Sequence, residues 1–138
     1  MKRGLVSLAV LLSCISCAGD TTAYTEDELL RLNLATDTIL ELMQQGAYRD
    51  IYEDHTSQLY RSQISKKQFL KTTACIEHHL GAIQSNDKGP YTFEKIGMKP
   101  IVHHTNIQVR RNRGLTTLQL SFILNDLHYQ LKSLSWDS

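Results

Sequence analysis

The chain has 138 residues, 41% of them hydrophobic and 21% charged, a length that predicts one core and a composition that excludes wholesale disorder. Its formal charge is +1, but Lys2 and Arg3 lie in an N-terminal leader, and without them 13 basic side chains face 14 acidic ones. That balance gives no reason to expect nucleic acid as a partner, and three cysteines, two of them beside the leader, exclude a disulfide framework or a thiolate zinc site.

Lys2-Arg3 precedes an apolar run from Leu5 to Leu12, after which small and polar residues take over. This is a secretory signal, too short to cross a bilayer. Leu11-Leu12-Ser13-Cys14 and Ile15-Ser16-Cys17 resemble the lipobox of bacterial lipoproteins, where a small residue precedes the cysteine that becomes acylated. Cys14 has leucine three residues upstream but a short leader, whereas Cys17 has the usual distance and a cysteine upstream. Cleavage after Ala18, within Ser16-Cys17-Ala18, is one alternative and would give plain secretion, and an uncleaved anchor is the other. The resemblance implies acyl chains on Cys14 or Cys17, a membrane as partner, and a place in the cell envelope facing the periplasm or exterior. Residues 1–17 are then the signal, 18–24 a tether, and 25–138 one folded domain.

Thr25-Glu26-Asp27-Glu28 is a capping box that opens a long helix, with three acids where the helix dipole favours them. Leu29, Leu32, Thr36, Ile39 and Met43 form its apolar stripe, Leu40 and Leu42 widen it, and Gly46 is the expected stop. A short helix with Tyr48, Ile51 and Tyr52 on one side follows, broken at Glu53 to Thr56. Residues 57–62 predict another helical turn. Ser65-Lys66-Lys67-Gln68 caps a helix through Phe69, Leu70, Thr73, Ile76 and Leu80. Cys75 in that helix reads as a small buried hydrophobe. Gly81 or the segment Ser85-Asn86-Asp87-Lys88-Gly89-Pro90 ends the helix, and that segment reads as the longest loop.

Tyr91 to Ile96 alternates as a strand, and Gly97 to Pro100 interrupts it. In the next strand Ile101, His103, Thr105, Ile107 and Val109 share the face expected inside. Arg111-Asn112-Arg113-Gly114 turns the chain, and Arg110, Arg111 and Arg113 read as a solvated cluster at the hairpin tip. Leu118, Leu120, Phe122 and Leu124 mark a third inward face, and Asn125-Asp126 a tight turn. Leu127, Tyr129 and Leu131 mark a fourth, with a slip near Lys132 or Ser133 that brings Leu134 and Trp136 inward as a bulge would. Strands joined without intervening helices predict antiparallel pairing.

The predicted fold class is therefore α+β, with N-terminal helices packed on a curved C-terminal antiparallel sheet. The helix order, the Gly46-x-Tyr48 break and the terminal meander resemble the nuclear transport factor 2-like superfamily, the cone-shaped cystatin-like proteins, over about residues 26 to 136. The early strand usual between its second and third helices is not obvious here. The resemblance implies a pocket at the cone mouth, where Tyr48, Tyr52, Asp54, His55, His103 and Tyr129 are the polar groups that could converge. Members use that pocket for ligands in some cases and catalysis in others, and the leading expectation here is a binding protein without cofactor, its partner a small ligand or a protein, with a homodimer through the sheet as a further option. A dehydratase or isomerase using Asp54/His55 or His103 as acid and base is the alternative, and an inhibitor or immunity-type protein is another. The doublets His78-His79 and His103-His104 do not chelate alone, because adjacent residues diverge on helices and strands, so no metal is expected.

Overall fold

The computed structural model describes residues 24–137. Cys14, Cys17 and the leader lie outside them. Four helices, α1 (Glu26–Gln44), α2 (Tyr48–His55), α3 (Gln58–Gln63) and α4 (Lys66–Leu80), precede four strands, β1 (Ile83–Glu94), β2 (Val102–Arg111), β3 (Gly114–Asn125) and β4 (His128–Asp137). The strands form one antiparallel sheet in the order β1-β2-β3-β4.

The capping box at Thr25 forms, with the Thr25 hydroxyl accepting from the Glu28 amide and the Glu28 carboxylate accepting from the Thr25 amide. Leu32, Thr36, Ile39, Leu40 and Met43 are buried along one side of α1. Gly46 follows the helix at a φ of 75°, a conformation that favours glycine, and turns the chain into α2. Ser57 and Ser65 cap α3 and α4. Tyr91 of β1 reaches into the middle of α1, where its hydroxyl lies 2.6 Å from Thr36 Oγ1 and donates to the Leu32 carbonyl. That buried pair fixes how α1 crosses the sheet.

The inner face of the sheet carries His103, Thr105, Ile107, Val109 and Arg111 from β2, and Thr116, Leu118, Leu120 and Phe122 from β3. Ile107, Val109, Leu118, Leu120 and Phe122 join the buried apolar side chains of all four helices in one connected core. The expected slip in β4 is present: Phe122 pairs with Leu131 while Ser121 pairs with Ser133, leaving Lys132 as the extra residue of a bulge. Leu134 and Trp136 are thereby brought against the core. Thr56, between α2 and α3, makes an isolated parallel bridge to Leu131, and the Ser57 amide donates to the Leu131 carbonyl.

Several expectations are corrected. Residues 85–90 are not a loop but the first half of β1, paired with Ile107 to Arg110. The turn-forming residues are tolerated because β1 is an edge strand and Gly89-Pro90 falls where its register shifts. A Cβ on Gly89 would sit 2.6 Å from the Asn106 carbonyl oxygen, so glycine is needed there to let the strands approach. Ile101, Leu124 and Leu127 are exposed rather than inward, because they flank or form the chain reversals at the rim of the core. Cys75 is exposed: it lies two residues from the buried Thr73, on the other side of α4. Arg111 is buried, 3% exposed, because it keeps the inward phase of Ile107 and Val109 to the end of β2.

Candidate functional site

The strand reversals divide the molecule into two ends. Here the proximal end carries Tyr24, the start of α1, the connection 95–101 and the β3–β4 turn. The distal end carries the β2–β3 turn and the end of α4. The six residues expected to converge are distributed over both ends and the helical layer between them.

At the proximal end a cleft of about 380 Å³ lies between α1, the end of α2 and the β3–β4 hairpin. Ile39 and Phe122 line its base, and Leu34 and Leu127 stand exposed beside it. Arg31, Thr38, Asp54, His55, His128, Tyr129 and Gln130 supply its polar groups. Thus Asp54, His55 and Tyr129 come together as expected, while Arg31 was not foreseen; its signal was a position one turn before Leu34 on the exposed side of α1. Arg31 also pairs with Asp27 at 3.1 Å along its own helix. Burial raises the Tyr129 phenol above its ordinary range, with Glu28 adding to the effect, so the group holds its proton and can donate.

Behind Tyr129 lies His103, 6% exposed, its ring edge-on to Tyr129 at 5.3 Å. His103 Nδ1 is 2.6 Å from the Tyr24 hydroxyl. Burial lowers the His103 pKa and raises that of Tyr24, so both are neutral near pH 7, and with the ring proton on Nε2 the Tyr24 hydroxyl donates to Nδ1. The pair fastens the chain before α1 to the sheet. Tyr24 was not singled out by sequence reasoning, because only the fold brings it 79 residues along the chain to His103.

Tyr48 and Tyr52 belong elsewhere. Tyr52 packs among Tyr60 and Phe69, and its hydroxyl donates to the Ile64 carbonyl. Tyr48 lies at the distal end and donates to Glu77 Oε2 at 3.1 Å, its pKa pushed up to about 12 chiefly by burial. Beside it the Arg111 guanidinium donates to the Gly81 carbonyl at 2.8 Å and stands 4.7 Å from the centre of the Trp136 ring. Arg111 Nε and Nη2 and Trp136 Nε1 are buried without a partner among the described residues. Arg113 donates to the His78 and His79 carbonyls and so completes the end of α4. Arg110 and Arg113 are exposed at the tip as expected, and Arg111 is not.

On the outer face of the sheet His104 lies 2.8 Å from Ser121 Oγ through Nδ1 and 3.3 Å from Glu94 Oε1 through Nε2. The row has the composition of a serine triad, with Ser121 in mid-strand, paired with His104 of β2 and Ser133 of β4. No known protein family matches the chain, and no curated protein matches its sequence. Among the described residues no group of three or more histidine, cysteine or acidic side chains could hold a metal ion. No described helix is long and apolar enough to cross a membrane.

Proposed function

We propose that the chain is an envelope lipoprotein, acylated at Cys14 or Cys17, whose domain is a nuclear transport factor 2-like cone that binds a ligand or a protein at its mouth without catalysing a reaction. The observation that carries the binding reading is the contrast between a filled interior and an open cleft. Ile107, Leu118, Leu120, Phe122 and Leu131 are at most 1% exposed, so the cone holds side chains where a catalytic member would hold substrate. An acid–base reading needs a histidine and a carboxylate hydrogen-bonded inside the cone, and the described contact of that kind is His104 with Glu94 on the outer face. The cleft offers Arg31, the Asp54 carboxylate, His55 and His128, Tyr129 and two exposed leucines, with no histidine bonded to the carboxylate among the described contacts, a mixture suited to holding an amphipathic partner. The Thr56–Leu131 bridge supports the superfamily reading, since it stands between the second and third helices where a short strand is expected.

Two measurements test this. Mass spectrometry of the mature N-terminus reads acylation, and a free Cys14 and Cys17 would remove the lipoprotein claim. A photo-crosslinking side chain at Leu34, introduced in cells, is expected to give a discrete adduct that Leu127→Asp abolishes while leaving thermal unfolding unchanged, since Leu127 lines the cleft but is exposed. An adduct-free chain, or one equally labelled from Leu115 on the far side of the sheet, defeats the binding reading.

A further inference from the structure

The described residues expose nine large apolar side chains, and all but Leu115 cluster toward the proximal end. Ile96, Met98 and Ile101 stand in the connection 95–101, with Met98 fully exposed, and Leu59 faces Ile96 across a groove. Leu124 and Leu127 flank the neighbouring turn, and two leucines of α1 complete the set. The two reversals share one end of the sheet because the first residues of β2 pair with the last of β3, His103 with Phe122. Exposed apolar side chains are ordinarily scattered, and a cluster marks a surface that is covered in use.

We propose that this end is a membrane-contact surface, in which the connection 95–101 seats Met98 and Ile96 in the interfacial layer of the bilayer that holds the chain. The inference rests on the lipid-anchor reading above and adds the orientation of the domain and the residues that touch lipid. Tyr24 is fastened at this same end through His103, so the tether arrives there. Seven residues from Cys17, or ten from Cys14, reach Tyr24, which extended span about 25 and 35 Å. The twelve residues of β3 span about 40 Å, so an acylated chain keeps the proximal end nearest the lipid. Lys99 and Lys132 line the groove beside Ile96, and Lys95 adjoins it, placed to reach headgroup phosphates while the apolar side chains enter the layer beneath. Glu94 lines the same groove and three acids open α1, so apolar insertion rather than net charge supplies the attraction. The cleft of Arg31 and Tyr129 lies at this end too, and its occupant is therefore met at the membrane surface.

The test uses the full chain isolated from membranes and placed in vesicles of phosphatidylethanolamine and phosphatidylglycerol. Met98→Cys and Leu115→Cys are made separately in a Cys75→Ser background, with Cys17→Ser added where the acyl chains are on Cys14, and labelled with an environment-sensitive fluorophore. Both positions are exposed, so neither label disturbs the core. The expected result is a blue-shifted emission at position 98 that spin-labelled lipid quenches several-fold, with aqueous emission at position 115. Aqueous emission at both positions in an acylated sample overturns the contact surface and leaves the anchor standing. Mass spectrometry on the same sample reads acylation, and its absence removes the anchor reading and this inference with it.

Discussion

The two ends of the sheet treat polar and apolar groups in opposite ways. At the distal end a cation is sealed in: Arg111 is 3% exposed, bonded to the Gly81 carbonyl and stacked near Trp136. At the proximal end apolar groups are left out, with Leu127 70% and Met98 100% exposed. Burying an incompletely bonded guanidinium and exposing a cluster of aliphatic side chains both oppose folding, but only the second is relieved by an external surface. The distal end is therefore read as internal structure and the proximal end as the place of contact.

The sharpest way to break this contrast is within one hairpin. Phe122→Ala removes a fully buried ring from beneath the cleft and is expected to destabilise the domain by about 3–5 kcal/mol. Leu127→Ala, a few residues on but exposed, is expected to stay within about 0.5 kcal/mol while weakening any contact made at the cleft. Equal losses in a denaturant titration would show that Leu127 is part of the core. At the distal end the adjacent arginines make the corresponding pair. Arg111→Ala should cost about 2–4 kcal/mol, through the cavity and the orphaned Gly81 carbonyl, and Arg110→Ala almost nothing. Arg111→Met, which keeps most of the volume, sharpens the comparison, since full stability in that variant would mean that the charge contributes nothing.

The smallest effect concerns the proximal fastening. His103 has a folded pKa below its ordinary 6.5, because burial disfavours the charged ring. The unfolded chain therefore binds the proton more readily, so the stabilisation is complete above about pH 6.5 and is lost as the pH falls below it toward the folded pKa. The rings and charges facing His103 are those of Tyr24, Tyr129, Glu28 and His104. The wild-type unfolding temperature should drop between pH 7 and pH 5, and His103→Gln, which hydrogen-bonds without titrating, should lose that part of the drop. An unchanged profile in the variant would assign the pH response to other groups.

Elements with a strong local signal were legible before any coordinates. The capping box at Thr25, the N-cap at Ser65, the stop at Gly46, the alternation from His103 to Val109 and the slip at Lys132 all follow from the chain reading itself over a few residues. Local signals failed where a neighbour outweighed them. Residues 85–90 carry turn chemistry yet form a strand, because β2 offers an unpaired edge and Gly89 lets it approach. Leu124 and Leu127 carry the strand alternation yet stand in water, because they sit at the β3–β4 turn, where the chain reverses at the rim of the core.

Of the candidate site, the sequence identified Asp54, His55 and Tyr129 as residues with suitable chemistry but could not say that they meet, nor that Tyr48 and Tyr52 do not. Periodicity and capping are properties of adjacent residues, so the order and faces of helices and strands were set by the chain alone. Which side chains share a cleft, which arginine is sealed and which leucines remain uncovered depend on contacts between segments far apart in sequence, such as Tyr24 with His103 and Thr56 with Leu131. Those contacts exist only once the sheet has closed on the helices, and they were decided by the tertiary structure.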